Sequence, residues 1–430
     1  MTLSWLSIFR LGAVQMCLGA IVVLTTSTLN RLMVVELALP AVLPGALVSL
    51  HYGIQITRPS WGFLSDTGGH RTRWIIGGMA VLAAGAYLAA TGVALMGSHA
   101  LGGLLLSILA YALIGLGAGA AGTSVLALLA TATAPRRRAA AATITWLMMI
   151  LGIALTAGIV GGMLDPYSPA RLLKVAGGLC ILALTLAALA VSGIERRVVA
   201  RAEPDPMPFF EGLSEIWAEP RARLFTLFVF LSMTAYFMQE LILEPYAGLV
   251  FGFTPGQSTQ LSGMQNGGVF MGMLLVGVAA TGLGIGRLRT WVVAGCIGSA
   301  LALMAIAGIG LMAVPLLPAT TVALGFFNGM FAVAAIGAMM QLAGEGRGAR
   351  EGTRMGLWGA AQAIAAGFGG FAGALGVDLL RLALADAPAF GSVFLFESAL
   401  FLAAALMAAA IIDPRSHHAR HTDRGDTAHA

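Results

Sequence analysis

An all-α integral membrane protein, with twelve transmembrane helices in two six-helix pseudo-symmetric halves, is the fold class that three features of this sequence predict. Of 430 residues 58% are hydrophobic and only 10% charged, where a soluble domain carries about a quarter charged. Apolar runs of the length that crosses a bilayer, about 20 residues, recur along the whole chain. Landmarks of the first half also return in the second at a near-constant offset.

In chain order, residues 1–10 set Trp5, Leu6 and Phe9 on roughly one side of a short helix, expected to lie in the membrane interface. Spans follow over 11–35, 37–58, 74–96, 102–134, 139–164, 171–194, 223–249, 261–285, 291–313, 318–343, 355–380 and 390–412. The first is too long, and followed by too many others, for a cleavable leader. With the N-terminus inside, only Arg31, Arg171, Lys174 and Arg381 of the 24 basic residues fall away from the cytoplasmic side. The arginine distribution therefore places both termini in the cytoplasm. That asymmetry accounts for the net charge of +5, so no nucleic-acid partner is expected. Cys17, Cys180 and Cys296 lie in apolar runs without metal or disulfide spacing and are expected to be small core residues.

The expected units are a six-helix bundle over 1–194, a cytoplasmic linker over 195–222, a second bundle over 223–412 and a polar tail over 413–430. Within the linker Phe209, Phe210, Leu213, Ile216 and Trp217 recur at helical spacing, with Glu211, Glu215 and Glu219 on another face. That pattern predicts an amphipathic surface helix. The bundles read as copies about 210 residues apart: Gly115-Leu-Gly-Ala-Gly119 matches Gly325-Phe-Phe-Asn-Gly329, Pro44-Gly45 matches Pro255-Gly256, Trp146 matches Trp358, and Asp165 matches Asp378. A parallel repeat of six spans is a transporter organisation.

Between the second and third spans, residues 59–73 break the apolar pattern with Gly62, Asp66, Gly69 and Arg71. Glycines permit a tight turn, and the aspartate can accept from amides or pair with arginine. The stretch resembles the loop signature of the major facilitator superfamily, with His70 standing where a basic residue is usual. That resemblance implies the major facilitator fold and makes the loop a cytoplasmic latch, with Arg136, Arg137 and Arg138 as expected partners.

Longer strings narrow the resemblance. Residues 15–40, Leu43-Pro-Gly-Ala-Leu-Val-Ser-Leu-His-Tyr-Gly53 and Arg58-Pro-Ser-Trp-Gly62 are similar to the bacteriochlorophyll-delivery branch, the PucC- and LhaA-type light-harvesting assembly proteins. Leu243-Glu-Pro-Tyr-Ala-Gly248, Thr254-Pro-Gly-Gln-Ser-Thr259, Gln265-Asn-Gly-Gly268 and Gly356-Leu-Trp-Gly-Ala-Ala-Gln362 continue the likeness. It implies a pigment-handling protein of the photosynthetic membrane, with bacteriochlorophyll a or a late precursor as cargo. The implied partners are light-harvesting polypeptides, bacteriochlorophyll synthase and the lipid bilayer.

No catalytic constellation appears, so a non-enzymatic protein is expected. A magnesium chlorin would need one axial donor in an apolar pocket. Among seven histidines only His51 lies inside a span, roughly 10 Å from its cytoplasmic end at 1.5 Å per residue. Gln55 follows one turn on, and Gln265 and Asn266 are further pigment-binding candidates. The alternative for His51 is a hydrogen-bonded core histidine. Intramembrane charge is costly and usually functional, which singles out Arg31, Glu36, Glu240 and Glu244. Leu29-Asn-Arg-Leu aligns with Met238-Gln-Glu-Leu between the copies, so an Arg31–Glu240 pair closing the non-cytoplasmic side is expected, with Glu36 or Glu244 as alternative partners. Two other functions stay open: a proton-coupled small-molecule transporter and a pigment-free assembly scaffold.

Overall fold

The computed structural model describes residues 3–58, 61, 71–134, 137–195, 217–283, 285–312, 314–344 and 351–412. Helices occupy all twelve expected places, and the described residues contain no strand. They are α1 (Trp5–Glu36), α2 (Val42–Ile54), α3 (Arg71–Met96), α4 (Ala100–Ala132), α5 (Arg138–Leu164), α6 (Pro169–Val191), α7 (Pro220–Phe251), α8 (Pro255–Val276), α9 (Leu288–Met312), α10 (Leu317–Gly344), α11 (Glu351–Arg381) and α12 (Asp386–Ile411). Eleven are long and apolar enough to cross a membrane, and α2 is the shorter exception. The chain is a multi-pass membrane protein.

Its buried side chains form two main cores. One draws on residues 3–194 with Leu241 added, the other on residues 222–412. Each core lies within a set of six helices. We call the surface carrying the described ends of the chain the terminal face, and the opposite surface the distal face. The expected amphipathic linker segment up to Ile216 and the tail from Asp413 lie outside the described residues.

Two expectations change. The opening residues form no separate interfacial helix, because α1 runs unbroken from Trp5. Ser4 caps it by accepting from the Ser7 amide at 3.2 Å. No breaker follows, and Arg10 extends to donate to the Ala190 carbonyl at 2.9 Å and the Ser192 carbonyl at 2.5 Å. It thus satisfies carbonyls at the end of α6, where a cation is favoured. The second span starts later than 37 because Ala38 adopts φ 51° and Pro40 follows it.

Two stretches of α1, Leu24–Thr28 and Leu32–Glu36, are π-helical turns. Each shifts the backbone bonding from four to five residues. In the first, the Leu29 amide bonds Leu24, and the Thr25 carbonyl accepts from the Tyr111 hydroxyl of α4 at 2.7 Å.

The two sets of six helices meet where α2 packs on α11 and α5 packs on α8. Both seams close at the distal face by the same device. Asp378 at the end of α11 accepts from the Ala41 and Val42 amides at 3.0 and 2.7 Å, capping α2. Asp165 at the end of α5 accepts from the Thr254 hydroxyl at 2.6 Å and the Gly256 amide at 3.1 Å, capping α8. The unpaired amides and positive end of a helix dipole suit a carboxylate. Glycine is required beside the second cap: a Cβ on Gly256 would stand 2.4 Å from an Asp165 oxygen and from the Gly161 carbonyl.

Losing a capping side chain costs about 0.5–2 kcal/mol. Asp165→Ala and Asp378→Ala should each lower the melting temperature in detergent, and the double variant should lose roughly the sum. Melts of the three variants that match the parent would show that the caps do not hold the seams.

Candidate functional site

Polar side chains converge where α1 crosses α7 between the two cores. On α1, Thr25, Thr26, Ser27, Thr28, Asn30 and Arg31 are all buried. Facing them, α7 contributes Gln239, Glu240 and Glu244, and α8 adds Thr259 and Ser262. A proline explains one of the contacts. Pro245 lies inside α7 and has no amide to offer the carbonyl four residues earlier. That carbonyl belongs to Leu241, and the buried Asn30 amide donates to it at 2.6 Å. One residue of the facing helix thus replaces the missing backbone donor.

The charges are arranged in tiers. At the distal end Arg31, 2% exposed, pairs with Glu36 at 2.5 Å and donates to the Phe253 carbonyl at 2.7 Å. The expected Arg31–Glu240 pair is therefore not formed. The π turn after Arg31 brings the residue five positions on to its guanidinium, while Glu240 lies further toward the terminal face. Burial and the Glu36 carboxylate hold the nearby Tyr167 phenol above the ordinary tyrosine range, with Arg31 opposing. Next comes Glu244, with no exposed surface. Its Oε1 accepts from the Ser262 hydroxyl at 2.5 Å, Ser27 and Thr259 lie close by, and the Arg31 charge reaches it. A Thr28–Thr259 contact of 3.2 Å ties α1 to α8 in the same layer.

Below this layer Glu240 is only half-buried. The Thr26 side chain lies nearby, its hydroxyl donating to the Val22 carbonyl at 3.2 Å, and Tyr52 and Tyr236 lie in the electrostatic range of Glu240. Tyr52 of α2 meets Phe237 of α7 with ring centroids 5.8 Å apart. These aromatic residues are half-buried, yet face helices of the opposite set. We take their accessible surface, below these tiers, as the candidate cleft between the sets.

The remaining candidates divide. His51 is 2% exposed, and its Nε2 is engaged by the Gln55 amide nitrogen at 2.9 Å. Gln55 in turn accepts from Arg58. The buried Nδ1 of His51 has no partner. Both side chains are buried and engaged with each other. Gln265 is also buried, and its carbonyl lies 2.0 Å from a Cβ built on Gly325. His51 occupies the corresponding place, its carbonyl 2.7 Å from a Cβ built on Gly115. Asn266 donates to the Ser262 carbonyl of its own helix at 3.0 Å. Gly62, Asp66 and Gly69 of the latch, with Arg136, lie outside the described residues. Arg71 opens α3, where its amide and that of Thr72 donate to Glu195 at 2.7 and 3.0 Å.

Glu397 in α12, not among the sequence candidates, is fully buried with neither carboxyl oxygen hydrogen-bonded. An acid within an apolar span is its sequence signal. Glu195 and the capping function of the two aspartates emerge only from the structure.

Two six-helix sets meeting where α2 packs on α11 and α5 on α8 define the class, a membrane protein of the major facilitator fold. A bacterial homologue of the human drug peptide transporters superposes with TM-score 0.70 at 13% identity, covering 94% of this chain and 97% of that one. The nucleoside transporter NupG gives the same TM-score and identity, covering 95% and 99%. The family model for PUCC protein matches residues 28–416, and the chain belongs to that family. It is 67% identical over 416 residues to the bacteriochlorophyll synthase 44.5 kDa chain of Rhodobacter capsulatus, covering 96% of this chain and 97% of that protein. Protein PucC of Rhodovulum sulfidophilum is 28% identical over 400 residues, covering 87% and 86%.

Stranding a buried carbonyl costs about 1–3 kcal/mol, so Asn30→Ala should destabilise the protein by that amount. Pro245→Ala restores an amide opposite Leu241 and should make Asn30→Ala nearly neutral. A thermal-melt double-mutant cycle with no coupling between the two positions would contradict the exchange of donors.

Proposed function

We propose that this protein carries bacteriochlorophyll or a late precursor within the photosynthetic membrane and passes it to light-harvesting polypeptides. The observation that carries this reading is the half-buried, aromatic-rimmed candidate cleft in a chain 67% identical to one named for bacteriochlorophyll synthesis. Pockets that hold sizeable ligands are mostly apolar and aromatic with a few fixed polar groups, as the Tyr52, Tyr236, Phe237 and Glu240 surroundings are. A non-enzymatic role is favoured despite the relative's name, because the fold is shared with carriers of small molecules. Fold alone fixes no substrate, so the pigment rests on the family.

The arginine placement supports an inner-membrane protein with both termini cytoplasmic. On that orientation the capped distal face is extracytoplasmic, and the cleft faces the cytoplasmic side. The division at 195–222 and a latch between the Asp66 loop and the neighbouring arginines belong to the same proposal. Bacteriochlorophyll synthase is the natural donor and antenna polypeptides the acceptors.

Gentle purification from a pigment-producing cell should yield a coloured protein with near-infrared absorption and about one extractable bacteriochlorophyll per chain. His51→Leu should keep that pigment. A colourless protein that co-purifies antenna polypeptides would replace this function with a scaffold, and one with neither pigment nor such partners with a small-molecule transporter.

A further inference from the structure

Within that proposed function, we infer that the Glu240 carboxylate is the axial ligand for the magnesium of a flat tetrapyrrole seated in the cleft. The inference rests on which donor the cleft can reach. An incoming ring needs one accessible oxygen or nitrogen beside apolar, aromatic walls. His51 fails the first condition, being buried with its Nε2 on Gln55. Glu244 fails it too, having no exposed surface and an Oε1 held by Ser262. Glu36 pairs with Arg31 at the distal closure. Glu397 has no exposed surface.

Glu240 meets both conditions. It is half-buried on the face of α7 that opposes α1 and α2, and its neighbours Tyr236 and Phe237 are half-buried as well. Tyr52 completes the wall from α2, in edge contact with Phe237. The rings offer edges and faces to a planar macrocycle, and the carboxylate belongs to the same helix as Tyr236 and Phe237. Magnesium favours hard oxygen donors and is commonly held by one or two carboxylates. Arg58, exposed at the end of α2 and in electrostatic range of Tyr52, offers a donor for the carbonyl groups at a tetrapyrrole rim.

Coordination makes a distinction that stacking alone cannot. A magnesium tetrapyrrole should bind better than the same ring without its metal, and the preference should depend on Glu240. The purified full-length protein, stripped of pigment in mild detergent, is titrated with bacteriochlorophyll a and with its metal-free bacteriopheophytin. The parent should favour the magnesium pigment by at least about tenfold, or 1.4 kcal/mol. Glu240→Ala should erase that preference while leaving metal-free binding unchanged. Glu240→His should restore it with a shifted absorption band, since imidazole is also an axial donor, and this variant covers the case in which Glu240→Ala fails to fold. Equal binding of both rings by the parent, or a preference that survives Glu240→Ala, would overturn the ligand assignment and leave pigment carriage standing. A parent that binds neither ring would overturn both.

Discussion

The crossed pair of aspartate caps is the constraint on which the arrangement of this protein depends. Asp165 leaves one six-helix set to hold the start of α8 in the other, and Asp378 returns the exchange at the start of α2. Each carboxylate satisfies amides that lipid could not, and unsatisfied backbone groups are costly at membrane depth. Because both caps lie at the distal face, the two hydrophobic cores are pinned there. Arg31, paired with Glu36 on its own helix, adds a third tie through the Phe253 carbonyl of the other set, and Glu240 with its aromatic neighbours lies further toward the terminal face. Closure at one end and a cleft below are two results of one pattern of bonding.

Helix irregularity creates the polar interior. A regular apolar helix hides its backbone from its neighbours, and α1 and α7 depart from regularity at the level where they cross. Within the π turn at Leu24–Thr28 the Thr25 carbonyl accepts from the Tyr111 hydroxyl, and the carbonyl that Pro245 leaves without a backbone donor accepts from the Asn30 amide. Each defect is thereby matched to a side chain on another helix, which fixes the relative height of the helices. Hydrogen bonds between membrane helices are individually modest, so specificity of position is the greater gain.

Much of this was legible from residues alone. The twelve apolar runs located every helix, and the repeat paired Asp165 with Asp378 and Pro44-Gly45 with Pro255-Gly256. What the pattern could not show is that these landmarks touch crosswise, because a repeat states equivalence and says nothing about contact. His51 was conspicuous as the lone histidine in a span, but its engagement by Gln55 depends on rotamers that sequence does not reveal. The expected Arg31–Glu240 pair followed from aligning the copies. It failed because the second π turn places Glu36 nearer, and such turns have no clear sequence signature. Glu397 was readable as an acid in an apolar run and was missed because no motif surrounds it. The opening residues, expected as a separate interfacial helix from the Trp5, Leu6 and Phe9 face, instead begin α1, and the Arg10 stem is long enough to leave the helix and reach carbonyls at the end of α6.

The second π turn also limits how this chain can change in length. Arg31 and Glu36 stand five residues apart, a separation that puts them one turn apart only while the backbone bonds run from residue to fifth residue, as from Leu32 to Leu37. Removing a single residue there would return the segment to ordinary helical winding, and each residue then turns by about 100°. Glu36 would rotate off the guanidinium, and the chain leading to the Asp378-capped start of α2 would be shortened with it. Surface connections elsewhere can gain or lose a residue at little cost. Between Thr28 and Ala41 the number of residues is itself part of the structure, so insertions and deletions should be tolerated there far less than substitutions.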